Sequence, residues 1–343
     1  MRGGGRLFKV RNIFIHKYND IISVENLLLA WQEFLKGKKS RKDVQEFQLH
    51  LMKNIFELHL DLKNKNYKHS KYQKFNVSDP KPREINKAKV RDRLLHHAIY
   101  QKLYPYFDNK FIFDSYSCRN GKGTHKAINQ FKKFAGKVSK NHTKTCWVLK
   151  CDIKKFFANI NHQVLKDILF KNIKDKDIFN LIVIIIDSFE TKKGCGFGLP
   201  LGNLTSQLLV NIYMSEFDQF VKHKLKVKYY IRYADDFVFL SQDKNELEKL
   251  IPHIEKFLDK RLKLRIHPNK IYIKTYASGV DFLGWVNFND HRVLRDKTKK
   301  RIFNNLEKQI KRCSGVNENS KQSYLGLVSH GNTYKISGEI KSF

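Results

Sequence analysis

The stretch YYIRYADDFVFL, Tyr229–Leu240, decides the fold. Aromatic and β-branched residues lead in (Tyr229, Tyr230, Ile231, Tyr233) and lead out (Phe237, Val238, Phe239, Leu240). That alternation reads as two short strands with a tight turn between them. Asp235 and Asp236 therefore sit side by side at the tip of an apolar hairpin, where they repel each other, lose solvation and need a compensating charge. A bound divalent cation supplies it, and oxygen-only ligands suit Mg²⁺. The competing reading is a solvated turn that happens to contain two acids, and the rest of the chain weighs against it.

A chain of 343 residues is long enough for a large core and two or three subdomains. Lys and Arg number 67 against 33 Asp and Glu, a formal +34 spread along the whole length. So much self-repulsion in a globular chain points to a polyanionic partner, nucleic acid first and an anionic membrane surface second. The longest apolar run, Leu181–Ile186, is too short to span a bilayer, so no membrane partner is expected. The N-terminal MRGGGRLFKVRNIF lacks the apolar core of a secretion signal. Five cysteines without a C-x-x-C pair argue for a reducing compartment, and a cytoplasmic location is expected.

Apolar positions fall at helical spacing from about 22 to 63, and again over 89–107. Residues 145–153 alternate: Trp147, Leu149 and Cys151 face one way, Val148, Lys150 and Asp152 the other. Helical stretches follow at about 161–190 and 203–224, then the acidic hairpin, then a helix at about 243–262. Short strands over 264–287 precede a basic helix beginning at Lys297. The order predicts an α/β or α+β core with flanking helices. Asp152 ends one strand, and Asp235 and Asp236 cap a hairpin downstream, in a chain otherwise poor in acids. If those strands are neighbours, the three carboxylates can hold two Mg²⁺ ions ~4 Å apart, with Mn²⁺ as a substitute. The chemistry this predicts is nucleotidyl transfer, in which the protein positions groups and stabilises charge.

LKCDIKKFFANINH around Asp152, GLPLGNLTSQLLVNIYMSEFD, and YYIRYADDFVFL, in that order, resemble the palm of reverse transcriptases. KPREINKAKVRDRLLHHAI and SYSCRNGKGTHKAI resemble fingers motifs of the bacterial branch that includes group II intron enzymes, and HPNKIYI and GVDFLGW resemble the lysine-bearing and primer-grip motifs. The likeness covers about residues 75–290. LGNLTSQ in turn resembles the enzymes of diversity-generating retroelements. The resemblance implies an α+β right-hand polymerase: an N-terminal helical extension and fingers over 1–74, fingers over 75–145, a palm with an antiparallel sheet backed by helices over 146–290, and a short helical thumb over 291–343. It implies RNA-directed DNA synthesis from dNTPs on an RNA template, yielding error-prone cDNA, with a small basic accessory protein and a structured RNA as partners. Two alternatives stand beside it: a defence-associated bacterial reverse transcriptase, and a maturase-like RNA-binding protein with a vestigial polymerase site.

Roles carry over residue by residue. Asp152, Asp235 and Asp236 are the catalytic acids, and Ile153 joins them in the metal-binding set. Phe157, five positions after Asp152, matches the steric gate against a 2′-hydroxyl. Leu201, Gly202 and Gln207 would pass beneath the nascent base pair, with Asn203 able to cap the next helix. Many relatives carry Gln where this chain has Leu201, and an aliphatic side chain offers packing without a directional bond. Arg83 matches the triphosphate-contacting basic residue, with Lys81 and Arg91 as weaker matches. Lys270 matches the lysine near the leaving pyrophosphate. Arg119 and Lys122 are expected at template or nucleotide, Tyr233 under the primer end, and Phe282, Leu283, Gly284 and Trp285 in the primer grip. His96, His97 and His125 lack the spacing of a metal site and read as fold-supporting or RNA-contacting.

Overall fold

A computed structural model describes residues 13–78, 82–312 and 316–343. In chain order the helices and strands are α1 (Tyr18–Ile22), α2 (Val24–Leu35), α3 (Lys42–Leu49), α4 (Leu51–Lys63), β1 (Gln73–Val77), β2 (Arg83–Lys87), α5 (Val90–Asp108), α6 (Thr124–Val138), β3 (Trp147–Asp152), α7 (His162–Asn172), α8 (Lys176–Asp187), α9 (Leu204–Gln219), β4 (Tyr230–Tyr233), β5 (Asp236–Ser241), α10 (Lys244–Leu262), β6 (Tyr272–Thr275), β7 (Val280–Phe282), β8 (Trp285–Asn287), β9 (Arg292–Leu294), α11 (Asp296–Arg312), α12 (Glu318–Val328) and α13 (Tyr334–Ser342). They form two compact units, each assembled from separate parts of the chain. The first holds 13–78, 82–111 and 155–216, and the second 112–154 and 217–343.

In the first unit, α2 buries Leu27, Ala30, Trp31 and Phe34, the i, i+3, i+4, i+7 stripe of an amphipathic helix. That stripe packs on α5, which buries residues all round (Leu94, Leu95, Ala98, Ile99, Leu103) and so forms the centre of the unit. β1 and β2 form an antiparallel hairpin whose exposed start carries Arg83. α7 and α8 are separated at Asp175, whose side chain accepts from the backbone N–H groups of Asp177 and Ile178 and starts a new helix.

His96 and His97 lie on α5 facing this core. Burial is the main cause holding both below the ordinary imidazole value, His97 at about 4, with Lys38 adding to the effect on His97. The folded form therefore favours neutral rings, so their stabilising contribution is complete above about 6.5 and is lost as pH falls towards 4. Thermal unfolding is expected to shift to lower temperature between pH 6.5 and 4.5. His97→Gln should flatten that dependence, and an equally steep profile in the variant would exclude His97 as its source.

The second unit is built on an antiparallel sheet of order β4-β5-β3-β6. Alternation sends Val148, Ile231, Val238 and Leu240 into a cluster with Phe131, Phe134 and Val138 of α6. The opposite set, Phe237 and Phe239, packs ring against ring with Phe217 and Tyr230. Both faces are covered, which is why β3 and β5 read as nearly continuous apolar runs. A second sheet, β7-β8-β9, follows, and α11 lays Ile302 and Leu306 into the same core. Its Lys299, Lys300, Arg301, Lys308 and Lys311 belong to the helix's polar remainder. No helix among the described residues is long and apolar enough to cross a membrane.

Candidate active site

β4 and β5 meet at a two-residue turn, with Tyr233 paired to Asp236 across it. Ala234 takes φ 53°, left-handed backbone that a Cβ disfavours by about 1 kcal/mol. The surroundings hold it there. Asp235 O accepts from Ile153 N at 3.1 Å, and Ala234 O accepts from Arg232 Nη1 at 3.1 Å. Arg232 is fully buried and its guanidinium grips Asp218, with Nε to Oδ1 at 2.8 Å and Nη2 to Oδ2 at 2.7 Å. The Tyr230 hydroxyl donates to the same carboxylate at 2.8 Å, and Arg232 Nη2 also reaches Ser115 Oγ at 3.1 Å. A fully satisfied buried network thus fixes the strand that carries the acids.

The β3–β5 register places Asp152 directly opposite Asp236. Each carboxylate has a lysine beside it: Lys150 Nζ stands 3.3 Å from Asp236 Oδ2, and Lys270 Nζ 2.7 Å from Asp152 Oδ1. Lys270 is delivered by a short 3₁₀ turn, Pro268–Lys270, just before β6. Burial raises the Asp236 carboxyl to about 7, with Asp152 and Asp235 adding repulsion and Lys150 opposing. Asp236 Oδ1 is buried without a hydrogen-bond partner. The two acids line a cavity of about 500 Å³ together with Lys150, Lys270, Asp281 and Arg295. Asp235 occupies the turn beside them. Among the described residues no group of three or more His, Cys, Asp or Glu side chains is gathered closely enough to hold a metal ion. Asp152 and Asp236 nonetheless suit a hard cation: two facing carboxylates, one with an unpartnered buried oxygen, each already drawing an ammonium group.

Other expected residues fall as follows. Phe157 is half-buried in a 3₁₀ turn (Phe156–Asn159), edge-on to Phe156 at 5.5 Å, and its carbonyl accepts from Leu199 N at 2.9 Å. Leu201 O accepts from Asn86 N at 3.1 Å, tying that loop to β2. Gly202 has φ 102°, and a Cβ there would lie 2.8 Å from Ile85 Cγ2, so glycine is required by both backbone and space. Asn203, expected as a helix cap, has its amide committed elsewhere: Nδ2 donates to Asn86 O at 2.8 Å and Oδ1 accepts from Ala88 N at 3.3 Å. Lys81 lies outside the described residues. Arg119 donates to the carbonyls of Ile112 (2.7 Å) and Ser115 (3.0 Å), holding its own loop. Lys122 donates to Phe113 O and sits 3.4 Å from the centroid of the 70% exposed Phe113 ring. Tyr233 OH accepts from Thr124 Oγ1 at 3.3 Å. Phe282 and Trp285 are buried in the core, so only the Leu283-Gly284 turn of that motif, with φ 54° and 88°, is partly open to solvent.

The sequence reading missed Lys150, Arg232, Asp218 and Phe113. For Lys150 a signal existed, since alternation placed it on the Asp152 face.

Residues 68–286 match the family described as Reverse transcriptase (RNA-dependent DNA polymerase). The chain belongs to the reverse transcriptase family. It is 25% identical over 258 residues to protein YkfC of Escherichia coli, covering 65% of this chain and 66% of that protein. It is 24% identical over 288 residues to the group II intron-encoded protein LtrA of Lactococcus lactis, covering 64% of this chain and 46% of LtrA. A putative COX1/OXI3 intron 2 protein of Saccharomyces cerevisiae is 22% identical over 264 residues, or 59% of this chain and 30% of that protein. The chain thus spans between about a third and two thirds of these relatives' lengths. Apo telomerase of Candida tropicalis aligns with a TM-score of 0.49 at 14% identity, over 72% of this chain and 60% of that one. The α+β polymerase class and the distant kinship with intron-encoded proteins expected from the motifs both stand.

Proposed function

We propose that this reverse transcriptase family member is an active RNA-directed DNA polymerase that uses divalent metal ions and dNTPs. The observation that carries the reading is the register that sets Asp152 opposite Asp236, with the Asp236 oxygen unpartnered and a cavity in front of both. Asp152, Asp235, Asp236 and the Ile153 carbonyl would hold the metal. When bound, Mg²⁺ or Mn²⁺ lowers the pKa of a primer 3′-hydroxyl and stabilises charge on the phosphoryl oxygens. The protein's own part is positional. The Arg232–Asp218 network holds the acidic turn, and Lys270, 41% exposed beside Asp152, supplies positive charge to a departing pyrophosphate. The exposed Phe113 ring beside Lys122 suits a template base, stacked and charge-flanked. Within the fold we assign fingers, palm and thumb to 75–145, 146–290 and 291–343, with the helices before 75 as an extension.

Primer extension on a defined RNA template with Mg²⁺ tests this, and product that forms without the acids would end it. Phe157→Ala is expected to raise incorporation of ribonucleotides at least tenfold relative to deoxyribonucleotides. An unchanged ratio would remove Phe157 as the gate.

The finer placement is with diversity-generating retroelements, supported by LGNLTSQ and by Leu201 in place of Gln. Leu201→Gln is expected to lower misincorporation opposite template adenine severalfold, and sequencing that shows the same adenine errors would sink that branch. The intron-encoded relatives favour a second reading, an RNA-binding protein with a silent polymerase site. Absence of product with the native RNA and neighbouring proteins supplied would select it.

A further inference from the structure

At the end of the second unit's main sheet away from Asp236, a groove of about 710 Å³ runs between the last turn of α6, residues 225–229 before β4, and the start of α10. Ser241 ends β5 there, so the groove lies ~17 Å along the strand from the acids. Its floor is apolar. Val138, Leu240 and Leu247 are buried beneath it, and Leu225, Val227, Tyr229 and Leu250 lie half-buried along it. The rim is basic: Lys137, Lys140, Lys226, Lys228 and Lys249 are all exposed. The one acid lining the groove, Glu246, accepts from Ser241 Oγ at 2.6 Å.

The wall is built in advance. A π-type turn, Phe220–Lys224, follows α9, a rare geometry that recurs at functional sites. From it Lys222 Nζ donates to the carbonyls of Val227 (3.3 Å) and Lys228 (2.8 Å), pinning that side of the groove. Lys140 and Lys226 take left-handed backbone, φ 49° and 54°, so both sides carry strain of the kind that persists where the surroundings impose it.

We propose that this groove binds an acidic peptide segment of a partner protein, with a leucine or phenylalanine side chain on the floor and Asp or Glu against the rim lysines. An apolar centre inside a charged rim is the anatomy of a protein interface, and the sign of the rim selects the partner. RNA would satisfy the lysines but not the floor. Its bases need rings to stack on, and the only ring there, Tyr229, already packs edge-on against Phe134. A membrane is met by a protruding apolar face, whereas this one is concave. A second copy of a chain with formal charge +34 brings the wrong sign, as does a basic accessory protein. The occupant is therefore a different protein, and its seat leaves the acidic turn open. The proposal does not rest on the polymerase reading.

Short random peptides displayed on phage are selected on the immobilised full chain, with excess single-stranded RNA present to occupy the general basic surface. Enriched sequences are expected to carry Asp or Glu on both sides of Leu or Phe. A labelled synthetic copy of the most enriched peptide is then titrated by fluorescence anisotropy, after melting temperatures show every variant folded. Lys226→Glu/Lys249→Glu should weaken binding about tenfold or more, while the same charge change on α4, Lys53→Glu/Lys63→Glu, stays within about twofold. Leu250→Asn, which leaves the charge intact, should weaken it severalfold. Enrichment without the acidic-apolar pattern, or none at all, would overturn the proposal. Equal losses in the α4 control would reduce the effect to general charge and overturn it as well. Sedimentation supplies the last check: a parent dimer that the groove variants convert to monomer would give the groove to a second copy instead.

Discussion

Asp236→Asn is expected to lower primer extension by on the order of 10³-fold or more while the protein stays folded. The substitution keeps the shape and removes the charge. Asp236 lies opposite Asp152, and burial already opposes its ionisation. Losing that carboxylate relieves repulsion with Asp152 and Asp235, while Lys150 keeps an amide oxygen to donate to. These effects oppose one another, so the melting temperature should move by only about 3 °C. Asp152→Asn is expected to behave alike in synthesis. Full-length product from either variant, at a rate within tenfold of the parent, would show that the metal is held elsewhere. A collapse of the melting temperature would instead mark Asp236 as a structural partner of Lys150.

Asp218→Ala should produce the largest loss of stability of any single change in the second unit. Both members of the Arg232–Asp218 pair are fully buried, and removing the carboxylate takes the counter-charge from a buried guanidinium and the acceptor from the Tyr230 hydroxyl. Breaking one half of such a pair costs roughly 3–5 kcal/mol. Replacing both partners by apolar groups of similar volume, Asp218→Leu/Arg232→Met with Tyr230→Phe, should recover much of that. Urea denaturation followed by circular dichroism checks the order of the midpoints: parent, then triple variant, then Asp218→Ala. The triple variant carries a second expectation. Without Arg232 Nη1 on the Ala234 carbonyl, the left-handed turn loses a restraint, so synthesis should fall even where folding is recovered. A triple variant as active as the parent would make Arg232 purely structural.

Much of the site was legible because local rules governed it. The period-2 alternation of Tyr229–Leu240 named the hairpin and put the paired acids at its tip, and Asp152 ended an alternating run, while the pairing of Tyr233 with Asp236 narrowed the turn to Ala234 and Asp235. The α2 and α5 stripes were likewise written in spacing, whereas the break at Asp175 within the stretch read as helical over 161–190 was not. Asn203 shows where such rules stop. As a residue type it favours a helix N-terminus, but a buried loop beside β2 had two unpaired backbone groups, and satisfying them claimed its amide. Phe282 and Trp285 read as primer-grip residues by motif, and their burial in the core, Phe282 against Phe131, leaves only the turn between them partly open.

What the sequence determined by itself was the strands that carry the acids and the family, because each rests on motifs whose residues lie within a few positions of one another. Only the tertiary structure decided which charges meet. Asp218 and Arg232 lie on a helix and a strand, Lys270 reaches Asp152 across 118 residues, and Lys38, Arg41, Lys87 and Arg93 converge from three elements. In a chain of 67 basic residues every such cation reads alike, and its partner depends on which backbones pack together. Pairing of charges depends on distance and burial, and neither is a property of the order of residues.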